Sequence, residues 1–281
     1  MIVTTQPLKW HGGKSYLAKW IHSQAPPSCL ENKANGYTHR NIAFAGGLGE
    51  FWNWLPIEGI SETVNDLNEE LATFYSVLRD EELFERFQLD VAMVPFGCDS
   101  FSLSKYYIDV DLDGREVERA LWFFVRYRQS RQGLGKDYAT PTTRTRRGMN
   151  ENVSSWLSAV DGLPECHERL RRVEIRNMPA ADFIAAYDHP RALFYLDPPY
   201  MHSTRSSTGE YQHEMDETGH AHLLAHLKGM KGRFMLSGYH SPMYDVTAEV
   251  CGWRCHEREI DNKASSAKTK QKKIECVWTN Y

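Results

Sequence analysis

The sequence contains no run of about 18 apolar residues, and a membrane-spanning helix is therefore excluded on length. Its six cysteines, Cys29, Cys98, Cys166, Cys251, Cys255 and Cys276, include no C-x-x-C pair. That spacing gives neither a disulfide framework nor a zinc knuckle, so Cys251, Cys255 and the adjoining His256 read as core or surface groups. No apolar leader opens the chain, which together with the scattered cysteines predicts a cytoplasmic protein with reduced thiols. There is no G-x-x-x-x-G-K-[ST] loop, hence no support for nucleotide triphosphate hydrolysis. H-E-x-x-H is also missing. His222 and His226 are spaced four apart on a predicted helix near His220 but have no glutamate between them, which favours a polar helix face and no metal site. A net charge of −4 argues against a protein that coats nucleic acid with its whole surface and leaves room only for a local basic patch. Internal repeats and long low-complexity tracts are absent.

What remains is an alternation. Apolar segments of strand length, 41–45, 62–66, 192–196 and 233–237, each stop at a loop. Helical periodicity is predicted over 14–24, 68–79, 115–131, 151–171, 180–187 and 215–229. The two C-terminal stretches "CGWRCHEREI" and "KKIECVWTNY" are predicted to pair as a hairpin. Such an order predicts an α/β fold with a mostly parallel sheet whose ligands lie at the carboxyl ends of its strands. Residues 80–170, helical and poor in strand candidates, read as an inserted helical domain. At 281 residues the chain is long enough for one large α/β domain carrying such an insertion.

Within that insertion, "RYRQSRQGLGKDYATPTTRTRR" (126–147) sets Arg126, Arg128, Arg131, Lys136, Arg144, Arg146 and Arg147 against Asp137 alone. Charge runs are commonly solvated loops. Here tyrosines, glycines and hydroxyls are interleaved with the cations, a mixture suited to phosphates and groove edges, and nucleic-acid contact is the favoured reading. A second cluster, Lys263, Lys268, Lys270, Lys272 and Lys273, lies in a Ser/Ala-rich loop and suits a nucleic-acid backbone or plain solvation equally.

Two glycine turns precede the insertion. "FAGGLGEFW" (44–52) follows a strand candidate and is predicted to open a short helix, where Gly46, Gly47 and Gly49 would let backbone approach a ligand; a Gly-rich turn can also be only a turn. Asp66, at the end of the next strand candidate, is of the type and place to accept from the two hydroxyls of a ribose. "PLKWHGGKS" (7–15) offers Lys14 to neutralise an anion and Trp10 to pack on a ring, roles that are as readily structural.

The most specific stretch is "LFYLDPPY" (193–200), in which a buried strand runs into a carboxylate, two prolines and a tyrosine. The exocyclic amine of a purine is a poor nucleophile because its lone pair is delocalised into the ring. A carboxylate and a carbonyl that both accept from the NH₂ group favour a pyramidal nitrogen, while an aromatic ring stacks on the base. Asp197, the carbonyl of Pro198 and Tyr200 supply that set, and Pro198 and Pro199 remove backbone donors and restrict φ. The plain alternative is a strand end turned by Pro-Pro, with Asp197 solvated and Tyr200 packed on the surface. "MLSGYHS" (235–241) can support a base pocket through Ser237 or Tyr239, or be a strand-end turn.

From "PLKWHGGKSYLAKWI" through "FAGGLGEFW", "VNDLNEELATFY", "LFYLDPPY" and "FMLSGYHS" to "KKIECVWTNY", the chain resembles the Dam-like, D12 class of DNA adenine-N6 methyltransferases, in a phage or prophage branch. The resemblance implies a Rossmann-like sheet with helices on both faces, formed by 1–68 and 171–281, and a mainly helical target-recognition domain at 69–170. It implies that Trp10, Lys14, Phe44, Gly46, Gly47, Asp66 and Asp197 hold S-adenosyl-L-methionine, and that the Asp197–Tyr200 segment carries methyl transfer to a flipped adenine of double-stranded DNA. A monomer, and a cognate restriction endonuclease as a partner, are further expectations of that kind. The chain departs from the family at Ile42 and Ala43, where an acid and a proline are usual; Glu50 is a candidate substitute. Near the cofactor's adenine, Asn177, Met178 and Asp182 are open candidates. N4 of cytosine, RNA, and a binding protein that has lost turnover are the alternative readings.

Overall fold

A computed structural model describes residues 6–108, 114–201, 214–261 and 272–281. Its helices are α1 (Ala18–Ser23), α2 (Glu69–Arg79), α3 (Glu81–Ala92), α4 (Cys98–Ile108), α5 (Glu116–Gln129), α6 (Glu151–Asp161), α7 (Leu163–Leu170), α8 (Ala180–Tyr187), α9 (Glu217–Lys228) and α10 (Pro242–Cys251). The strands are β1 (His39–Ile42), β2 (Ser61–Asn65), β3 (Thr145–Arg146), β4 (Met149–Asn150), β5 (Val173–Arg176), β6 (Ala192–Leu196), β7 (Arg233–Gly238), β8 (Arg254–Asp261) and β9 (Lys272–Thr279). The chain divides into two compact units, one of Met1–Lys19, Gly46–Pro56 and Asp66–Asn177, the other of Trp20–Ala45, Ile57–Asn65 and Met178–Tyr281. No described helix is long and apolar enough to cross a membrane.

The second unit is built on a sheet in the order β2-β1-β6-β7-β9-β8. β2, β1, β6 and β7 run parallel, and the predicted C-terminal hairpin is present as β8 and β9, antiparallel to one another, with β9 also antiparallel to β7. β6 lies in the middle and every residue of "ALFYL" is buried, which is why it reads as an unbroken apolar run. Because side chains alternate across a strand, Phe194 and Leu196 share a face with Phe234, Leu236, Cys276 and Trp278. These pack in one core with Phe183 and Ile184 of α8, Leu223, Leu224 and Leu227 of α9, and Tyr244 and Ala248 of α10. The architecture is thus mixed α/β, a mostly parallel sheet flanked by helices.

β1 differs from its prediction. The strand was expected over 41–45 from its apolar residues, but it spans His39–Ile42 and carries Arg40, buried and ion-paired with the equally buried Glu62 of β2. The two charges neutralise each other across neighbouring strands, so a stretch that looks polar is interior. α10 was not anticipated at all. It is capped by Ser241, whose side chain accepts from the N–H of Tyr244, has Pro242 in its first turn, and stops at Gly252, left-handed at φ 68°.

In the first unit the helices α2 to α7 enclose an aromatic core. Phe74 of α2 lies against Phe87 of α3 and against Phe123 and Phe124 of α5, and Trp156 of α6 meets Phe124. Asp80 ends α2 and caps α3 by accepting from the N–H of Leu83, so two helices are joined through a single residue. The single helix predicted over 151–171 is two, broken at Gly162 with Pro164 in the first turn of α7. β3 and β4 form a hairpin whose tip, Arg147-Gly148, has φ of 55° and 75°, the pair of positive values that a type I′ turn requires.

Candidate functional site

In the second unit, β6 delivers the Asp-Pro-Pro-Tyr segment directly from its buried carboxyl end. Asp197 is half-buried, while Pro198 and Tyr200 are buried. The hydroxyl of Tyr200 donates to the carboxylate of Glu275 in β9, and its ring meets Tyr239 edge-on, with centroids 4.8 Å apart and planes at 76°. Burial first, then the charges of Asp197 and Glu275, hold the Tyr200 phenol well above its ordinary pKa, so it stays a protonated donor. Tyr239 in turn lies under the ammonium of Lys273 at 4.8 Å. Ser237 stands 3.0 Å from the hydroxyl of Tyr195, which ties β7 to β6 behind the turn. Glu275 escaped the sequence reading. Its signal was a carboxylate inside the apolar strand "IECVW", which a buried acid with a fixed partner explains.

The glycine segments belong to the first unit, and there they meet. A Cβ on Gly47 would stand 2.4 Å from Cβ of Trp10, one on Gly46 would stand 2.9 Å from the Trp10 indole nitrogen, and one on Gly49 would stand 2.7 Å from the backbone N of Lys14. The missing side chains therefore let "WHGGK" and "GGLG" pack backbone to backbone. Trp10 also stacks on Tyr127 of α5, centroids 4.8 Å apart. Asp66 anchors the loop from the other side: one carboxylate oxygen accepts from the N–H of Gly46 at 2.8 Å and the other from that of Asn68 at 2.9 Å. The carbonyl of Gly46 accepts from the buried Tyr75 hydroxyl at 2.7 Å. Leu48, buried with φ 52°, holds a left-handed conformation that non-glycine residues adopt at a cost. The helix expected behind these glycines is a single 3₁₀ turn, Phe51–Asn53, too short to present an anion-binding terminus.

The remaining candidates divide between the two units. Lys14 is buried and donates to the carbonyl of Gly12 at 2.9 Å. Phe44 lies at the edge of the second unit's core. Asn177 donates to the carbonyl of Asp66 at 2.8 Å, whereas the backbone of Met178 both donates to and accepts from the side chain of Asn65. Glu50 is buried. His222 and His226 are exposed on α9, but His220 is buried and stands 2.9 Å from the Tyr244 hydroxyl.

The seven cations of 126–147 serve different ends. Arg131, Lys136, Arg144, Arg146 and Arg147 are exposed. Arg126 donates to the carbonyl of Gly135 at 2.8 Å. Arg128 is buried, donates to the carbonyl of Ser155 at 2.7 Å, and has its pKa pushed down to about 10 by burial. Arg128 and Arg146, with Lys9, Trp10, Ser155 and Ser158, help line a cavity of about 580 Å³ in the first unit. Burial, and then the charge of Arg128, lower Lys9 to about 8. At the hairpin tip Arg147 donates to Ser158 at 2.9 Å. In the second lysine cluster Lys263, Lys268 and Lys270 lie outside the described residues, as does the side chain of Lys272.

With a parallel sheet whose central strand ends in Asp-Pro-Pro-Tyr, and a helical unit with exposed cations, comparison with known families is decisive. The model of the D12 class N6 adenine-specific DNA methyltransferase family matches residues 10–270. The chain belongs to that family. This D12 methyltransferase is accordingly an enzyme of DNA adenine-N6 methylation, with DNA as its substrate. No curated protein matches the chain. The match runs from Trp10 to beyond β8 and so takes in both glycine segments, Asp66, the basic segment and the Asp197–Tyr200 turn of the D12 enzyme.

Proposed function

We propose that the D12 enzyme transfers the methyl group of S-adenosyl-L-methionine to N6 of an adenine flipped out of duplex DNA, with Asp197, the Pro198 carbonyl and Tyr200 acting on the base. The observation that carries this reading is the turn after β6, where a half-buried carboxylate precedes a tyrosine whose ring is fixed by Glu275 and Tyr239. Asp197 and the Pro198 carbonyl accept the two N6 hydrogens, which concentrates the nitrogen lone pair away from the ring. Pro198 and Pro199 have no N–H to compete for those acceptors. Tyr200 gives its face to the flipped base, whose unstacking costs a few kcal/mol. The proton lost from N6 passes to solvent water.

The donor set suits the cofactor. A carboxylate offers about four acceptor positions, enough for both backbone N–H groups on Asp66 and for ribose hydroxyls. Trp10, Lys14, Phe44, Gly46, Gly47 and Asp197 are the further residues assigned to it. When bound, S-adenosyl-L-methionine supplies an electrophilic methyl group on a sulfonium sulfur. The segment 69–170 is assigned to target recognition, with Arg126, Arg128, Arg131, Lys136, Arg144, Arg146 and Arg147 supplying its positive charge; the exposed cations among them contact phosphates.

The test is transfer of radiolabelled methyl groups from S-adenosyl-L-methionine to mixed-sequence duplex, with single-stranded DNA and RNA as competitors. Label in N6-methyladenine, lost in Asp197→Ala while that variant still binds duplex, supports the assignment. Tight duplex binding with no incorporation by the unaltered chain would replace the enzyme with a binding protein.

A further inference from the structure

The C-terminal strands hold a cluster that the methyl-transfer reading does not use. His240, just past β7, Cys255 of β8 and Cys276 of β9 present a ring nitrogen and two sulfurs that all lie within 4.8 Å of one another. Strand register explains the convergence. Cys276 stands opposite Glu257 and Cys255 opposite Trp278, so the two cysteines are diagonal neighbours on one face of the antiparallel pair. Both are thiols, Cys276 buried and Cys255 exposed.

Two carboxylates complete the surroundings. Glu257, directly across from Cys276, places Oε1 3.3 Å from Nε2 of His240. On the other side of the ring, Oδ1 of Asp245 lies 2.8 Å from Nδ1. This is the arrangement in which a carboxylate holds the Nδ1–H of an imidazole and turns Nε2 toward a metal. Two sulfurs and a ring nitrogen in one small volume, with a carboxylate oxygen beside the nitrogen, match the preferences of zinc-type ions over those of calcium or magnesium.

We propose that Nε2 of His240, the sulfurs of Cys255 and Cys276, and the carboxylate of Glu257 form a tetrahedral site for a divalent zinc-type ion, oriented by Asp245. Bonds of about 2.0 to 2.3 Å set ligand atoms roughly 3.5 Å apart, so the ring nitrogen and the two sulfurs need to close by about 1 Å and the Glu257 carboxylate needs to turn from the imidazole toward the sulfurs. On binding, each thiol loses its proton to solvent and becomes the thiolate ligand. The ion's place in the fold gives it a structural task. Tyr239 precedes His240 and Glu275 precedes Cys276, so a metal there would clamp the two backbone segments that carry the ring and hydroxyl partners of Tyr200.

The experiment uses the full chain, reduced and stripped of metal, titrated with cobalt(II) and then zinc(II). We expect one cobalt per chain, with thiolate charge-transfer and tetrahedral d–d absorption that zinc abolishes. Cys255→Ser and His240→Ala should lose the band, Asp245→Asn should bind about 10- to 100-fold more weakly, and Cys251→Ser should be unchanged. Circular dichroism checks that each variant is folded; Cys255 and His240 are exposed, so both should be. No cobalt–thiolate band in the reduced chain, or a band that survives both Cys255→Ser and His240→Ala, would overturn the site. A Cys255–Cys276 disulfide forming in the chain while the reduced form binds no metal would overturn it too. None of these readouts depends on methyl transfer.

Discussion

The hydroxyl of Tyr200 donates to the carboxylate of Glu275, which ties the turn after β6 to the middle of β9. Both side chains are buried, and Tyr239 stands edge-on to the same ring. The phenol is thus held in one orientation, which under the proposed function is set before a base binds, and the orienting group is an acid of β9. Pre-organisation of this kind lowers what must be ordered during reaction.

Tyr200→Phe keeps the ring and deletes the donor. Loss of a hydrogen bond to a charged acceptor should lower unfolding stability by about 1.5 to 3 kcal/mol, read by urea denaturation. Methyl transfer should fall less than about tenfold, because the stacking face survives, whereas Tyr200→Ala should lose about a hundredfold or more. A Phe variant as stable as the unaltered chain would show that Glu275 contributes nothing through this bond.

Gly47 makes a sharper prediction about the amino-terminal packing. Its added Cβ would meet Cβ of Trp10 at 2.4 Å, an atom that no rotamer change can move away. Gly47→Ala should therefore cost about 1 to 3 kcal/mol of stability. Trp10→Ala retains that Cβ and should leave the clash in place; Trp10→Gly should relieve it. A double-mutant cycle by chemical denaturation measures the coupling, and relief by Trp10→Ala would locate the clash on the indole instead.

Much of the second unit could be read from residues alone, for an identifiable reason. β6 is an interior strand with parallel neighbours and is apolar from end to end, and β7 beside it carries the buried apolar run Phe234–Leu236. The start of β1 at His39 and Arg40 escaped because Arg40 is charged and is compensated by Glu62, information that lies in another strand. α3 was hidden because only Asp80 separates it from α2, and α10 because it follows directly on "MLSGYHS", which reads as a strand-end turn or part of a base pocket. The Asp197–Tyr200 turn was legible as a local motif. Glu275, and the convergence of His240, Cys255 and Cys276, were not, because the register of β8 against β9 brings them together. The glycines show the same limit: their spacing announced a close approach, but Trp10, far upstream, is what approaches.

Lys9 links the cavity of the first unit to pH. Burial, then the charge of Arg128, bring its pKa from an ordinary 10.5 to about 8, with Glu151 opposing the shift. A lysine whose pKa is lowered by folding binds its proton more tightly in the unfolded chain, so stability should rise with pH between about 8 and 10.5. Other groups titrate in that window, and the quantity to compare is the slope of unfolding free energy in the unaltered chain and in Lys9→Met. A shallower slope in the variant is expected; equal slopes would mean that Lys9 is not desolvated. Duplex affinity should follow the opposite course if the lysine's charge contributes, weakening as pH passes through about 8.

The β3–β4 hairpin offers the last test. Arg144, Arg146 and Arg147 are exposed on and beside it, and the tip is held in its turn by positive φ at Arg147 and Gly148 and by the bond from Arg147 to Ser158. If these three side chains neutralise phosphates, each releases condensed counterions from the duplex, and the slope of log affinity against log salt should become less negative by about 0.9 for each contact removed. Replacing all three by glutamine should therefore flatten the slope by up to roughly 2.7 and weaken binding most at low salt. Gly148→Val separates shape from charge. It leaves every cation in place but puts a β-branched residue at φ 75°, and it should weaken binding through misplacement of the tip. Fluorescence anisotropy over a salt series distinguishes the cases, and a triple variant with an unaltered slope would remove the hairpin from the DNA interface.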